Sequence, residues 1–479
     1  MLEAHLLEKL RKYTADIRSE LVEDWKSLVR IKSVSVAQGG EYPFGEGCAQ
    51  VLERALCLAE RHGFQSENCG NWYGMAKYGA GRRQIGIFSH LDVVEEGDGW
   101  LYPPYEPTEK EGWLIGRGAG DNKSAAVLGL YVMRALRELE LPIQSQVMLY
   151  FGCNEEKGML DIDRFVAEQP MPDCSMVPDL FFPVCHGEKG GVKVHMRTKT
   201  PMVQILEISG GEAENMVPDK ARARLRAAEG LLERLTLLAG GDKGITVVEA
   251  GGEILVTAQG KSAMSSMPEG GINAVALLSD FLSQAEGMAA EDGAILSSLA
   301  TLSKGHDGRA LGLVMEDPPS GSLTCVCTKA ETRQGHAELH FNIRYPVTAQ
   351  GDDVIATLQE RAAAMGMEIC SLHHNAGYHI PVEHPYVQML CGIHEEVSGV
   401  KKEPYAIGGG TYARKLKRAV AFGAGNGSKN PFLPQGHGGV HQPDESRPID
   451  AILEAVVVYV AAIVHLDGLD EAQWLALWP

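Results

Sequence analysis

Apolar residues recur every three or four positions over residues 1–30, as Leu6, Leu10, Tyr13, Ile17, Leu21, Trp25 and Leu28. That period predicts an amphipathic helix with a charged outer face. Residues 44–62 repeat the pattern. A different pattern follows: residues 84–88 are a short apolar run of strand length, ending at Ser89 and His90. Residues 127–139 return to the helical period, continuing a pattern that opens at Asp121. Residues 146–151 form another apolar strand, ending at Asn154, Glu155 and Glu156. Strands alternating with helices in this way predict an α/β domain built on a mainly parallel sheet with helices on both faces.

From about Gly190 the pattern becomes one of alternation. Residues 192–197, 254–258 and 338–344 read apolar–polar in turn, with helical stretches predicted at 221–238 and 274–285. Such a segment reads as an α+β domain whose antiparallel sheets have one exposed face. Two passages in it resemble each other: Glu214-Asn215-Met216-Val217-Pro218, and the run from Ser266 to Ala274. Near His384-Pro385 the α/β pattern resumes, with a strand at 418–422 and a closing helix at 448–465. The expected organisation is therefore a first domain of residues 1–188 and 386–479, interrupted by a second at 189–385.

Composition narrows the partners. The chain of 479 residues has 44 Lys+Arg against 63 Asp+Glu, a net charge of −19. That balance argues against nucleic acid and anionic membrane. The first 30 residues lack the apolar core of a signal peptide, and no uncharged run of about 18 apolar residues occurs, so no membrane-spanning helix is expected. The ten cysteines are scattered without a paired framework, which predicts reduced thiols and a cytoplasmic protein.

The chemistry collects at loop positions. Asp121 lies in Gly116-Arg117-Gly118-Ala119-Gly120-Asp121-Asn122-Lys123, too rich in glycine for an element interior. Alone, Asp121 reads as a helix cap, Glu155-Glu156 as a solvated acidic turn, and His441 as a structural histidine. Together the picture differs. His90 and Glu155-Glu156 fall at the ends of apolar strands, where ligands of parallel sheets bind. His90 and Asp92 alternate at a strand end and so point the same way. Adjacent acids can divide labour, one holding metal and the other moving a proton. With Asp179 and His441, these residues suit a pair of divalent metals bridged by Asp121. Other signals are weaker. Cys325 and Cys327 lack further zinc-type ligands and read as packing residues. The glycines at 116, 118 and 120 do not fit the dinucleotide fingerprint.

His90-Leu91-Asp92, Gly118-Ala119-Gly120-Asp121-Asn122-Lys123, Asn154-Glu155-Glu156, Pro178-Asp179 and His441-Gln442-Pro443-Asp444-Glu445 together resemble the co-catalytic zinc aminoacylase, carnosinase and dipeptidase family. The segments Gly408–Arg414 and 342–347 resemble its PepV-type bacterial dipeptidases in particular. The resemblance implies one zinc on His90 and Asp179, another on Glu156 and His441, and Asp121 between them. It implies Glu155 as general base, Asp92 as the residue orienting His90, and a cis peptide at Asp121–Asn122. The metals would be zinc, with manganese or cobalt as alternatives. The substrate would be a small peptide whose free α-carboxylate is bound by Arg344 and a loop including Gly409, Gly410 and Thr411, with Asn215 as a further substrate-binding residue; a planar guanidinium fork suits that carboxylate. The inserted domain would be a lid of two similar halves, making a monomer the expected state.

One position departs from the family. Where its lid carries a histidine that stabilises the oxyanion, this chain has Met264, which cannot donate a hydrogen bond. Losing one such donor costs about 10²–10³ in rate. Three readings therefore stand: a dipeptidase, an N-acyl amino acid deacylase using the same centre, and a metal-retaining binding protein with weak or no turnover.

Overall fold

The computed structural model describes residues 4–240, 244–425 and 427–478. Residues 1–3 of the expected first helix lie outside them. The chain divides into two compact units, one of residues 1–186, 380–405 and 410–479, the other of residues 187–379 and 406–409.

The first unit is an α/β structure. Its strands lie in the order Gln65–Cys69, Tyr73–Tyr78, Gln146–Gly152, Gln84–His90, Cys174–Val177, Ala419–Phe422 and Val184–Glu188. Four consecutive strands at its centre, from Gln146–Gly152 to Ala419–Phe422, run parallel, and the flanking pairs are antiparallel. The parallel strands are buried along nearly their whole length, as expected when helices cover both faces. On one face Ile85, Ile87, Val147 and Leu149 join a core with the helices Ala4–Val29, Lys123–Glu138 and Ile449–Asp467. Gly129 permits that approach: a Cβ there would lie 2.3 Å from Leu149 Cδ1. On the other face Tyr73, Phe88 and Tyr150 pack around Phe165 of the helix Leu160–Glu168, with ring centroids 5.2–5.7 Å from it.

The Ile449–Asp467 helix has a mean hydropathy of 2.1 and is long and apolar enough to cross a membrane. It carries Asp450 and Glu454, so it is not an uncharged run, and 78% of it is buried inside the protein. Its apolar character is that of a core helix, apolar nearly all round because it is covered nearly all round.

The second unit is an eight-stranded antiparallel sheet in the order Ile245–Ala250, Glu253–Gln259, Lys220–Arg226, Ile205–Gly210, Thr324–Arg333, His336–Tyr345, Gly190–Thr198 and Met367–Asn375. Helices including Ala274–Ser283, Ala290–Ser303 and Gly351–Ala364 contribute to the core on one face.

The expected helix at 221–238 is corrected here. Lys220–Arg226 is a strand, and only Leu231–Ala239 is helical. Alanine and arginine are good helix formers, yet Ala221, Ala223 and Leu225 alternate with Arg222, Arg224 and Arg226 at a period of two. That alternation buries the small residues in the core and leaves the arginines exposed, and packing outweighs propensity. Cys325 and Cys327 pack into this core as apolar residues. None of the cysteines forms a disulfide.

Candidate active site

Three adjacent parallel strands deliver the acids and the first histidine. Gln84–His90 terminates at His90, paired in register with Gly152 of the neighbouring strand, after which the chain continues to Glu155 and Glu156. Asp179 follows shortly after the end of Cys174–Val177, the neighbour on the other side. Asp121 arrives on its glycine loop, where Gly118 has φ +84° and a Cβ would lie 2.9 Å from Val93 Cγ1. The Asp121–Asn122 peptide is cis. Asn122, not Asp121, flanks the Lys123–Glu138 helix, and no side chain caps it. Asp121 is therefore free of the capping role its position suggested. A small antiparallel sheet pairs Trp113–Ile115 with Ser446–Pro448, carrying the His441 loop to the Asp121 loop. His441 itself takes φ +61°, a strained value for a residue with a side chain.

Within this frame the groups converge. Asp121 Oδ1 lies 3.0 Å from His90 Nε2, and its Oδ2 lies 3.2 Å from His441 Nε2. His441 Nε2 also lies 3.1 Å from Glu156 Oε1, and His90 Nε2 lies 3.7 Å from Asp179 Oδ1. Two sets could each hold a cation, His90 with Asp121 and Glu156, and His90 with Glu155 and Asp179, the donor atoms of each within 4.8 Å of one another. His90 Nδ1 donates to the backbone carbonyl of Asp92 at 3.0 Å. A carbonyl can only accept, so the proton sits on Nδ1 and Nε2 is left as the ligating nitrogen. The Asp92 carboxylate accepts from the amides of Glu155 at 3.0 Å and Glu156 at 3.1 Å, and its Oδ1 is 3.4 Å from His90 Nδ1. Asp92 thus shapes the acidic turn and the histidine together.

Electrostatics make the cluster costly without a cation. Burial, then the charge of Asp121, pushes Glu156 up to about 7. Burial raises Glu155 well above the usual carboxylate range and raises Asp179 in the same direction. Asp121 moves the other way: burial works against it, but hydrogen bonds to His441 and His90 hold it below its ordinary value. Hydrogen bonding to Asp121 and Glu156 lifts His441 to about 11. Glu155 Oε1 is buried with no hydrogen-bond partner among the described residues. Crowded carboxylates, two imidazoles and an orphaned carboxylate oxygen are a donor set that divalent cations satisfy.

The surroundings contain residues whose roles sequence reasoning missed. Glu445, 1% exposed, accepts from the amides of Gly120 at 2.6 Å and Asp121 at 2.8 Å, and from Arg117 Nη1 at 2.6 Å. It fixes the loop that aims Asp121. Asn122 donates to Asp179 Oδ1 at 2.5 Å and to the Pro178 carbonyl at 3.0 Å, a task for an amide that an ionised carboxylate could not perform. Buried Lys123 donates to the Ile31 carbonyl at 2.7 Å, and burial pushes it down to about 7. Tyr412 donates to Asp161, which also accepts from the amides of Cys153 and Asn154 and so braces the turn before Glu155. Glu445 and Tyr412 both lie inside the family-like motifs; what identifies their work is a contact between segments far apart in sequence.

The candidate substrate residues fall in both units. In the second, Arg344 Nη1 donates to the Gly408 carbonyl at 2.7 Å, beside Gly409. Asn215 is exposed in the same unit, and its carbonyl accepts from the Ser265 amide at 2.8 Å. The two similar passages meet where the Ala274 amide donates to the Pro218 carbonyl at 2.8 Å, and Met216 is bridged to Met264 just before the second of them. Met264 is 51% exposed. Gly410 and Thr411 belong to the first unit; Thr411 is buried and its hydroxyl caps a short turn by accepting from Ala413 N at 3.1 Å.

Residues 86–465 match the peptidase family M20/M25/M40. YtjP of Bacillus subtilis (strain 168) is 31% identical over 462 residues, covering 94% of this chain and 97% of its own. A protein of Lactobacillus delbrueckii subsp. lactis named Beta-Ala-Xaa dipeptidase is 28% identical over 472 residues, covering 95% and 97%. The fold is similar to that of the di-peptidase Dug1p from Saccharomyces cerevisiae, with a TM-score of 0.59 at 13% identity, over 98% of this chain and 100% of that one. With the match spanning most of its length and the ligand-type residues assembled, the chain belongs to the peptidase family M20/M25/M40 and is a metallopeptidase.

Proposed function

We propose that this protein hydrolyses the amide bond of dipeptides carrying a free C-terminal carboxylate, using two divalent metal ions, zinc foremost. The observation that carries the reading is the division of Asp121, one oxygen toward His90 and the other toward His441. In it His90 and Asp179 would hold one ion, Glu156 and His441 would hold the other, and Asp121 would be shared between them. The ions, when bound, would polarise the scissile carbonyl and lower the pKa of water. Glu155 supplies the proton chemistry: its buried carboxylate takes a proton from the attacking water and returns it to the nitrogen of the leaving amine. Asp92 keeps Glu155 and Glu156 in place through their amides and steadies His90. Arg344, Asn215, Gly409, Gly410 and Thr411 are assigned to substrate binding. A guanidinium held by the Gly408 carbonyl is pre-set for a carboxylate, which selects peptides with a free C-terminus. The name of the Lactobacillus relative supports a dipeptide substrate.

The test is a comparison of substrates on zinc- or manganese-loaded protein. Dipeptides with free ends should be cleaved, and their C-terminal amides should be cleaved poorly or not at all. Faster release of amino acid from N-acetyl derivatives than from dipeptides would move the assignment to an N-acyl amino acid deacylase. Metal uptake with no cleavage of either class would leave a binding protein.

A further inference from the structure

The second unit carries another group of metal-type side chains, on the polar face of its sheet. His195 of Gly190–Thr198 and His340 of His336–Tyr345 are directly paired across neighbouring strands. Their rings stack with centroids 3.6 Å apart and planes 12° from parallel. Glu338, two residues before His340 and so on the same face, places Oε1 3.4 Å from His340 Nε2 and 3.7 Å from His195 Nδ1. Glu214, on the loop between Ile205–Gly210 and Lys220–Arg226, completes the group: donor atoms of His195, Glu214 and His340 lie within 4.8 Å of one another.

An independent observation points to a ligand. His340 is 4% exposed, and neither of its ring nitrogens has a hydrogen-bond partner among the described residues. The carboxylates of Glu331 and Glu338 approach Nε2 at 3.2 and 3.4 Å but outside hydrogen-bonding geometry. A buried imidazole left in this state is costly unless something else satisfies it. Burial and the neighbouring His195 hold His340 below its ordinary value, so it is neutral and able to ligate. Of the nearby cations, Lys329 and Arg333 pair with Glu331, Arg333 Nε also lies 3.7 Å from Glu338 Oε1, and Arg197 pairs with Glu368. Lys193 holds Glu214 at 2.9 Å, but both side chains are about half exposed, at 51% and 52%. Such a pair is weak enough for Glu214 to be drawn onto a stronger cation.

We propose that His195, His340 and Glu214 bind a divalent transition-metal ion on the second unit, with Glu338 beside the two imidazoles. Two imidazole nitrogens with carboxylate oxygens are a donor set for zinc, cobalt or nickel. The ion would tie two strands to the loop bearing Glu214 and Asn215, a loop otherwise held by contacts such as Asn342 Nδ2 to the Glu214 carbonyl at 3.1 Å.

The experiment counts zinc by plasma mass spectrometry after dialysis of the full-length protein against buffered free zinc. Asp121→Ala serves as the background, because it removes the bridging carboxylate of the other cluster. His195→Gln is the deciding variant, since that side chain is only partly buried; circular dichroism checks its fold. Asp121→Ala should retain one equivalent of zinc, and Asp121→Ala/His195→Gln should retain none. In the otherwise unaltered chain, His195→Gln should hold one equivalent less than the parent. Should His195→Gln fail to fold, Glu214→Gln on the exposed loop decides instead, with zinc affinity expected to weaken about tenfold or more. Equal zinc content in the folded His195→Gln variant and its parent, or unchanged affinity in Glu214→Gln, overturns the site.

Discussion

Glu155 holds a buried carboxylate oxygen with nothing among the described residues to bond it, next to a residue whose carboxylate meets a histidine. This asymmetry gives the adjacent acids different work. In the proposed reading Glu156 holds metal and Glu155 moves a proton. Glu155→Gln keeps size and polarity but cannot accept that proton. It should lower kcat by about 10²–10⁴ while zinc content stays at the parental level, read by single-substrate kinetics and metal analysis together. A variant that lost metal in proportion to activity would make Glu155 a ligand instead. Met264 is the other telling residue. If turnover is limited by the missing lid donor, Met264→His should raise kcat about tenfold or more with little change in KM. No gain would mean that the donor is supplied elsewhere. His90 and the Glu155–Glu156 pair were legible in the sequence because each follows a run of apolar residues of strand length. Glu445 was not, since its role depends on Trp113–Ile115 pairing with Ser446–Pro448 from the far end of the chain (a contact no local pattern records).

Among the elements, the parallel strands were the easiest to read and Lys220–Arg226 the hardest. The former are apolar throughout because both faces are covered. The latter alternates in residues that individually favour helix, and only its two flanking strands decide the matter. Elements also carry a prediction of their own. On the helix Pro385–Ser398, His394 stacks on Phe182 with centroids 5.0 Å apart, and its Nδ1 is buried without a partner among the described residues. Burial, helped by the charge of Lys402, pushes it down to about 4 from an ordinary 6.5, with Glu454 also lining the cavity beside it. Between those values the unfolded chain takes up a proton that the native state refuses. Stability from this site is therefore complete above pH 6.5 and lost as pH falls through about 4. His394→Gln should flatten the fall in urea midpoint across that interval relative to the parent. An equally steep fall in both would assign the acid sensitivity to other groups.

At the scale of the molecule, the chain brings its chemistry to one end of a parallel sheet. His90, Glu155, Glu156 and Asp179 arrive on successive strands, and loops from distant parts of the sequence add Asp121 and His441. In the proposed centre Asp121 is the shared ligand, since its two oxygens face the two histidines. The most direct test measures zinc content and dipeptide hydrolysis of Asp121→Ala beside the parent, with folding checked by circular dichroism. The variant should hold two equivalents of zinc fewer than the parent, with hydrolysis reduced to background. A folded Asp121→Ala protein that keeps the parental zinc content and still cleaves dipeptides would contradict a centre bridged by Asp121.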